Sequence, residues 1–441
     1  MKFFFFLILF ISLINCSFDN KTGIWKNENS TVNTKNDIFK EFSEIILSEE
    51  DFNKKVELQK NFSFKLKKPT ENSEWLDIYY NKNNNLNNFK FNKKFDLIYK
   101  SKKLSRHKIS QNILFNKGLI ITSDIKGNLI IFSLDKNQIL TKFNFYKRKY
   151  KKIDKYLNLI IQNDIVYISD NIGFLYSYDL KENRILWAKK NKVPFRSNLK
   201  LIGNILITSN QNNELLFYAK SDGNLLKSFP TEETKVKNQF KNNLAINGNK
   251  IFFINTFGSL YSVDIENKNL NWFINLNQTN NVNPSNLFLG NEIIVENKKI
   301  ISTSNKFTYI IDSITGSIIY KKKISSIIKP LAHNNFFLLI NKNNFLIAID
   351  SISGNILYSY DLDKKVSEFF KIKKKNLKIK NIMMLNNEIF VFLKNSYVLI
   401  LDINGSLKEI RKFPSSIYSQ PILVDNKILY LDKNSKIFIV N

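Results

Sequence analysis

The chain has 441 residues, of which 43% are hydrophobic and 14% aromatic, with 12 glycines and a single cysteine. This composition excludes a disordered chain, and one cysteine excludes an intrachain disulfide. The net charge of +29 comes from lysines scattered along the chain. It indicates either an acidic partner or, as we favour, a lysine-rich surface without a nucleic-acid site, because arginine is rare.

The first 16 residues carry an export signature. Lys2 precedes an apolar run that is too short to cross a bilayer and that ends at Leu13-Ile14-Asn15-Cys16. A positive charge followed by a short apolar core predicts a signal peptide over residues 1–16. Cys16 is either a lipidation site or incidental to an ordinary signal peptide, and its being the single cysteine of the chain favours lipidation.

Residues 17–73 are predicted to form a polar tether with one short amphipathic helix. The segment 17–36 is rich in Asn, Lys, Ser, Thr and Glu, whereas residues 37–52 place apolar side chains at near-helical spacing. The helix could pack on the body of the protein or contact a partner. We expect packing, because one apolar face needs a larger surface to cover it.

From residue 74 onward the sequence reads as strands. Eight pairs of apolar strands separated by short turns recur at a period of about 40–50 residues. The pairs begin at Gly118, Asp164, Asn204, Lys250, Lys299, Asn335, Glu388 and Lys427. Four short antiparallel strands per unit at this period are typical of a β-propeller blade.

The sequence therefore predicts an all-β fold in which residues 74–441 form an eight-bladed β-propeller of four-stranded antiparallel blades. The last unit ends at Asn441 without its outermost strand, and the strand at Phe95–Tyr99 has no hairpin partner. We expect this N-terminal strand to close the ring, because closure removes an exposed sheet edge.

One line of sequence recurs between the strands: an Asp followed eight positions later by an aromatic residue. The pairs are Asp135 and Phe143, Asp179 and Trp187, Asp264 and Trp272, Asp312 and Tyr320, and Asp350 and Tyr358. The Asp can accept hydrogen bonds from backbone N–H groups of the turn that follows it. The ring is expected to fill the gap between neighbouring blades, and its burial contributes about 1.5–3 kcal/mol per site. We interpret these residues as structural.

The sequence offers no candidate catalytic, cofactor-binding or metal-binding residues. His107 and His333 are too few and too isolated for a zinc site or for the base of a catalytic triad. We therefore expect a protein that is not an enzyme and that uses no cofactor.

The repeated line, clearest at Asp312–Tyr320 and Asp350–Tyr358, resembles the repeat of propellers named for pyrroloquinoline quinone (PQQ). The segment ending at Cys16 resembles a bacterial lipobox, in which the cysteine is acylated. Ser17 after it is compatible, by the same resemblance, with transfer to the outer membrane. Together these features make the chain similar to the family of outer-membrane protein assembly factor BamB over about residues 75–441.

This resemblance implies a lipid-anchored, non-enzymatic scaffold on the periplasmic face of the outer membrane. The implied partners are the barrel subunit of the β-barrel assembly machinery and unfolded outer-membrane proteins, with the protein a monomer within the complex. In the family an apolar-x-apolar-Arg stretch before a blade supports docking, and Val193-Pro194-Phe195-Arg196 matches it. The family's acidic pair before the following blade is replaced here by Gln239 and Lys241.

Two other functions remain open at this point. Quinoprotein dehydrogenases share the repeat, but a resemblance to those enzymes implies a Ca²⁺ site and an adjacent pair of cysteines. A surface-anchored propeller that binds a polysaccharide or another protein is also compatible with the sequence. The basic stretches 147–155 and 371–380 could contact anionic lipid or nucleic acid, and we expect them to be solvated loops.

Overall fold

The computed structural model describes eight stretches of the chain, residues 16–19, 24–27, 51–58, 62–146, 150–233, 241–277, 287–371 and 376–441. The chain divides into two units, Met1–Glu50 and Asp51–Asn441. In the first unit, strand β1 (Cys16–Asp19) pairs with strand β2 (Ile24–Asn27) in antiparallel fashion. The predicted signal peptide up to residue 15, and the predicted helix up to residue 50, lie outside the described residues.

The second unit begins with two short strands, β3 (Asn88–Phe89) and β4 (Leu97–Lys100). Sixteen further strands then build blades 1 to 4 in chain order. Blade 1 contains β5 (Leu114–Asn116), β6 (Leu119–Ser123), β7 (Asn128–Ser133) and β8 (Gln138–Asn144). Blade 2 contains β9 (Leu157–Gln162), β10 (Ile165–Asp170), β11 (Phe174–Asp179) and β12 (Arg184–Lys190). Blade 3 contains β13 (Lys200–Ile202), β14 (Ile205–Ser209), β15 (Leu215–Ala219) and β16 (Leu225–Phe229). Blade 4 contains β17 (Asn243–Asn247), β18 (Lys250–Ile254), β19 (Ser259–Asp264) and β20 (Leu270–Asn275).

Blades 5 to 8 follow the same order, with one helix inserted after blade 6. Blade 5 contains β21 (Ile294–Glu296), β22 (Lys299–Thr303), β23 (Thr308–Asp312) and β24 (Ile318–Lys322). Blade 6 contains β25 (Leu331–Ala332), β26 (Phe336–Ile340), β27 (Phe345–Asp350) and β28 (Ile356–Asp361), and helix α1 (Leu362–Phe370) follows. Blade 7 contains β29 (Ile379–Leu385), β30 (Glu388–Leu393), β31 (Tyr397–Leu401) and β32 (Leu407–Lys412). Blade 8 contains β33 (Ile422–Val424), β34 (Lys427–Leu431) and β35 (Ile437–Val440).

The prediction of an eight-bladed propeller of four-stranded antiparallel blades is confirmed. The first strands of neighbouring blades contact each other, which places them around the central axis, and the fourth strands lie outermost. Blade 8 takes its fourth strand from the other end of the second unit. In it β4 pairs with β35, with Tyr99 opposite Ile439 and Lys100 opposite Phe438.

Burial within a blade explains the sequence pattern of its strands. The third strand β27 is buried on both faces, because blades stack on each side of it, and its sequence is a continuous apolar run. The outer strand β12 alternates between exposed and half-buried residues, because only one of its faces contacts a neighbouring blade. A continuous apolar run therefore indicates a strand inside the blade, and an alternating pattern indicates the outermost strand.

Every blade has the same irregularity between its third and fourth strands. In blade 2, Ser177 lies opposite Trp187 and Tyr178 lies opposite Ile185, so that Leu186 is an extra residue. A β-bulge of this kind bends the strand and increases its twist. Equivalent register shifts occur in the other blades.

The repeated aromatic residues pack between blades. The ring of one blade lies against the glycine in the last turn of the next blade, so closely that a Cβ on that glycine would meet ring carbons at 2.5–3.0 Å. The contacts are Trp187 with Gly223, Trp272 with Gly316, Tyr320 with Gly354, and Tyr358 with Gly405. In blade 1, Phe143 instead lies 5.4 Å from the ring of Tyr178 in blade 2.

The repeated aspartates hold the turn between the third and fourth strands of a blade, and the turns of Asp312 and Asp350 contain Gly316 and Gly354. The Oδ1 atom of each accepts one or two hydrogen bonds from backbone N–H groups two or three residues further on. This geometry is observed for Asp179, Asp264, Asp312 and Asp350. Blade 1 differs, because the hydroxyl of Ser133, and not Asp135, accepts the hydrogen bond from the backbone of Lys136.

The propeller unit begins earlier than the sequence predicted. We expected a polar tether up to residue 73, but described residues from Asp51 onward lie on the blades. The Asp51 carboxylate accepts a hydrogen bond from the backbone of Ser325 at 2.9 Å. Val56 pairs with Ser359 of β28 through two backbone hydrogen bonds. The segment therefore covers the outer edge of blade 6, a long-range contact that composition alone did not indicate.

Candidate functional site

A segment before the blades, residues 72–92, runs around one end of the ring on the inner strands, and we call it the plug. It forms hydrogen bonds with all eight blades in their order around the ring. Its partners lie at or just beyond the carboxyl ends of the first strands, apart from Lys200 at the start of β13. In the order blade 8, then blades 1 to 7, the bonded pairs are Asn72 with Asp425, Trp75 with Phe115, Leu76 with Ile161, Asp77 with Lys200, Lys82 with Ile246, Asn83 with Val295, Asn85 with Ala332, and Phe89 with Asn386.

Buried amides fasten the plug to the inner strands. The Asn84 side chain donates to the carbonyls of Leu244 and Ile293, each at 2.9 Å, and is fully buried. The Asn85 side chain donates to the carbonyl of Ala332 and accepts from its N–H. These bonds satisfy backbone groups that would otherwise be unpaired at the strand ends.

A cavity of about 460 Å³ lies on the axis, on the other side of the plug. Trp75 and Leu86 of the plug line it, together with residues at the amino ends of the first strands such as Gln111, Lys380 and Gln420. The channel is therefore closed by the plug at one end and widens into this cavity at the other. Its volume is in the range of sites for small molecules.

Lysines dominate the charge of this cavity. Five lysines and two acidic residues line it, namely Lys108, Lys155, Lys241, Lys329, Lys380, Asp124 and Glu292. Burial lowers the pKa of Lys380 to about 8, and the nearby Lys394 adds to the effect. Burial also lowers the pKa of Lys329 to about 8, partly offset by Glu292.

The loop 193–196, which resembled a docking segment, connects blade 2 to blade 3 on the cavity side of the ring. Phe195 is 2% exposed and packs against Tyr218, and its backbone N–H donates a hydrogen bond to the carbonyl of Asp170 at 3.1 Å. Val193 and Arg196 are half-buried, and burial lowers the pKa of the Arg196 guanidinium. Phe195 therefore anchors the loop in the core, whereas the side chains of Val193 and Arg196 are partly accessible to a partner.

The residues that replace the family's acidic pair are only partly described. Gln239 lies outside the described residues, whereas Lys241 is exposed and lines the cavity. The backbone N–H of Asn242, next to Lys241, donates to the carbonyl of Arg196 at 3.0 Å. The backbone segments of the two basic positions are thus hydrogen-bonded to each other, a relationship that sequence spacing did not indicate.

The isolated histidines occupy different environments. His107 is exposed, and His333 is 1% exposed and stacks on Phe336 with ring centroids 5.1 Å apart. Within the described stretches no group of three or more His, Cys, Asp or Glu side chains could hold a metal ion. Likewise, no described helix is both long and apolar enough to cross a membrane.

The basic stretches are loops over their described parts. Lys155 is buried, donates to the carbonyl of Tyr150 and lies over the ring of Tyr146. Lys371 is the C-cap of α1 in a left-handed conformation, and residues 372–375 lie outside the described part of the chain. The contacts of Lys155 are thus structural. That the remaining lysines of the two stretches are solvated stays a prediction.

A protein-family model matches part of this propeller. The family model described as outer membrane protein assembly factor BamB matches residues 157–360, which are blades 2 to 6. No curated protein sequence matches the chain significantly.

Solved structures share the fold at low sequence identity. The crystal structure of BamB from Moraxella catarrhalis superposes with a TM-score of 0.61 at 13% identity, covering 79% of this chain and 99% of that one. The quinohemoprotein alcohol dehydrogenase ADHIIG from Pseudomonas putida HK5 superposes with a TM-score of 0.62 at 10% identity, covering 84% and 80%. The computationally designed Ika8 protein superposes with a TM-score of 0.57 at 12% identity, covering 77% and 99%.

Identities this low establish the propeller fold and no more, whereas the family model adds a match in the repeats themselves. The chain is therefore a BamB-like protein whose propeller is built from PQQ-type repeats.

Proposed function

We propose that the protein is a non-catalytic scaffold subunit of the outer-membrane β-barrel assembly machinery, anchored by lipid at Cys16 on the periplasmic face of the outer membrane. The match of blades 2 to 6 to the BamB family model is the observation that supports this most. A scaffold acts by holding its partners in place, so its chemistry is binding and not bond making.

The loop 193–196 is proposed to bind the barrel subunit. Its backbone is fixed by hydrogen bonds from Phe195 to blade 2 and from Arg196 to Ser209 of blade 3. A loop held in this way loses little conformational freedom on binding. Val193 would supply apolar contact and Arg196 a planar group for a carboxylate of the partner.

The outer blade edges are proposed to receive extended strands of unfolded barrel proteins. Blade 6 already accepts an added strand, because Val56 pairs with its outer strand at Ser359. The outer strand β16 of blade 3 exposes Leu225 and Leu226, about half of each side chain. Strand addition to such an edge combines backbone hydrogen bonds with apolar side-chain contacts.

The experiment is co-purification of the tagged, full-length protein from membranes in mild detergent. We expect a large outer-membrane barrel protein to be recovered with it. Recovery of a polysaccharide or of an unrelated protein alone would contradict the proposal and favour a general binding propeller. A quinone absorbance band in the purified protein would instead favour a function as a quinoprotein dehydrogenase.

A further inference from the structure

The axial cavity is closed on one side and carries an excess of positive charge. The plug closes it on one side through Trp75 and Leu86, and the amino ends of the first strands form its walls. Of its two carboxylates, Asp124 already accepts hydrogen bonds from Ser105 at 2.6 Å and from the backbone of Lys126 at 3.0 Å. Glu292 is thus the carboxylate left to balance the lysines of the cavity.

Lys380 has no acidic partner among the residues that the structure describes. Its side chain is buried, and Nζ donates to the neutral amide oxygen of Gln111. An ammonium group carries three donors, and an unpaired buried charge is costly. The blade 7 wall of the cavity therefore presents a cation that the fold itself leaves uncompensated.

Lys329 is the second cation of the cavity. Its Nζ donates to the carbonyl of Asn84 in the plug at 2.7 Å and lies 5.6 Å from the centre of the Tyr79 ring. These contacts orient the ammonium group but provide only partial compensation, since neither partner carries a full negative charge. Glu292 influences Lys329 electrostatically, and no ion pair between the two occurs in the described part of the chain.

Two further polar atoms at the cavity lack partners among the described residues. They are the indole N–H of Trp75, which is 3% exposed, and the amide oxygen of Gln420. Buried polar groups are hydrogen-bonded in the large majority of cases, so these two atoms are exceptions behind the wall of the cavity, and the case for a ligand rests on the lysines.

We propose that this cavity binds a small organic anion carrying two or more carboxylate or phosphate groups. Lys380 and Lys329 would bind its oxyanions from the walls of the cavity. A volume of about 460 Å³ suits a compact metabolite and excludes a folded partner. The site is separate from the loop 193–196 and from the outer edges that the proposed scaffold role uses.

The test is isothermal titration calorimetry of the full-length protein in detergent at pH 7 and low salt, with citrate and pyrophosphate as the two probes. We expect saturable binding of one probe molecule per chain. Citrate bound in preference indicates a carboxylate ligand, and pyrophosphate bound in preference indicates a phosphate ligand. Failure of both probes to bind at millimolar concentration would overturn the proposal.

Matched variants locate the binding. Lys380→Gln should weaken the affinity at least tenfold, whereas Lys136→Gln, on an exposed turn of blade 1, should leave it unchanged. Equal affinities of the two variants would overturn the proposed site. Both variants should melt within a few degrees of the wild type and should recover the barrel protein equally, so failure of the scaffold proposal would not be confused with failure of this one.

Discussion

Lys200 of blade 3 donates a hydrogen bond from Nζ to the Asp77 carboxylate of the plug at 2.7 Å, and both side chains are buried. Burial lowers the pKa of Lys200, and the carboxylate of Asp77 opposes that shift. The same Nζ donates to the carbonyl of Asn81 at 2.8 Å. The pair thus joins the plug to the ring at a point where neither charge reaches water.

Removing one partner of this ion pair should destabilise the protein strongly. We expect Asp77→Asn to lower the free energy of unfolding by about 3–5 kcal/mol, because it leaves Lys200 as an unpaired buried charge. Urea unfolding measures this. Glu57→Gln, which removes the exposed partner of Lys55, should leave the free energy of unfolding nearly unchanged, because solvent screens an exposed ion pair. Similar losses in the two variants would contradict the buried pairing, and Asp77→Leu combined with Lys200→Met should recover most of the stability.

The contact between rings and glycines predicts a difference between two glycine substitutions. Gly316→Ala places a Cβ about 2.5 Å from the Trp272 ring, whereas Gly203→Ala meets no atom within 4 Å. Both glycines have positive φ, so each substitution costs about 1–2 kcal/mol in backbone strain. Gly316→Ala should cost about 1–3 kcal/mol more, because the ring must move. Thermal melting of both variants measures the difference, and equal melting temperatures would show that the ring does not bear on the turn.

Burial of His333 should make the folded protein less stable at acidic pH. Burial lowers its pKa to about 3, so between about pH 6.5 and 3 the unfolded chain binds a proton that the folded chain does not. Stability should therefore fall as pH drops through this window, by up to about 1.4 kcal/mol per pH unit. His333→Phe removes the effect, so its melting temperature relative to the wild type should rise between pH 7.5 and pH 5. The exposed control His107→Phe should show no such change, and a pH-independent difference for His333→Phe would contradict the assignment.

Burial of Lys380 should also make the stability rise with pH, but in an alkaline window. Its folded pKa of about 8 lies below the ordinary value of 10.5, so below pH 8 the buried charge opposes folding in full. Lys380→Met should raise the melting temperature at pH 7 when no anion is added. The gain should shrink as pH rises from about 8 to 10.5, since the folded lysine loses its proton in that range. Lys136→Met serves as the exposed control, and a loss of stability in Lys380→Met at pH 7 would contradict the buried, unpaired state.

The blades could be predicted from the sequence because their signal is local. Each strand pair carries its own alternation and turn, and the spacing from Asp312 to Tyr320 repeats with the blade. The pairing of each ring with a glycine was also available in the sequence, since Gly316, Gly354 and Gly405 each follow a repeat that has an aromatic residue. Only the contact between blades shows why the two residue types occur together.

The plug could not be predicted from the sequence because its contacts are distant along the chain. The run Asn83-Asn84-Asn85 reads as part of an asparagine-rich composition and has neither helical nor strand periodicity. In the structure these residues bind strand ends more than 150 positions away. The same holds for the cavity, whose lysines come from different blades and meet only when the ring closes.

The central claim, a scaffold that binds a barrel protein through the loop 193–196, is tested most directly by quantitative co-purification. Wild type, Arg196→Glu and Arg184→Glu are compared, Arg184 being an exposed arginine on an outer strand paired with Glu182. Val193→Glu provides a second loop variant, and unchanged melting temperatures establish that each variant is folded. We predict equal recovery of the barrel protein with wild type and Arg184→Glu, and at least tenfold lower recovery with Arg196→Glu and Val193→Glu. Equal recovery with all four proteins, or no barrel protein with the wild type, would contradict the account.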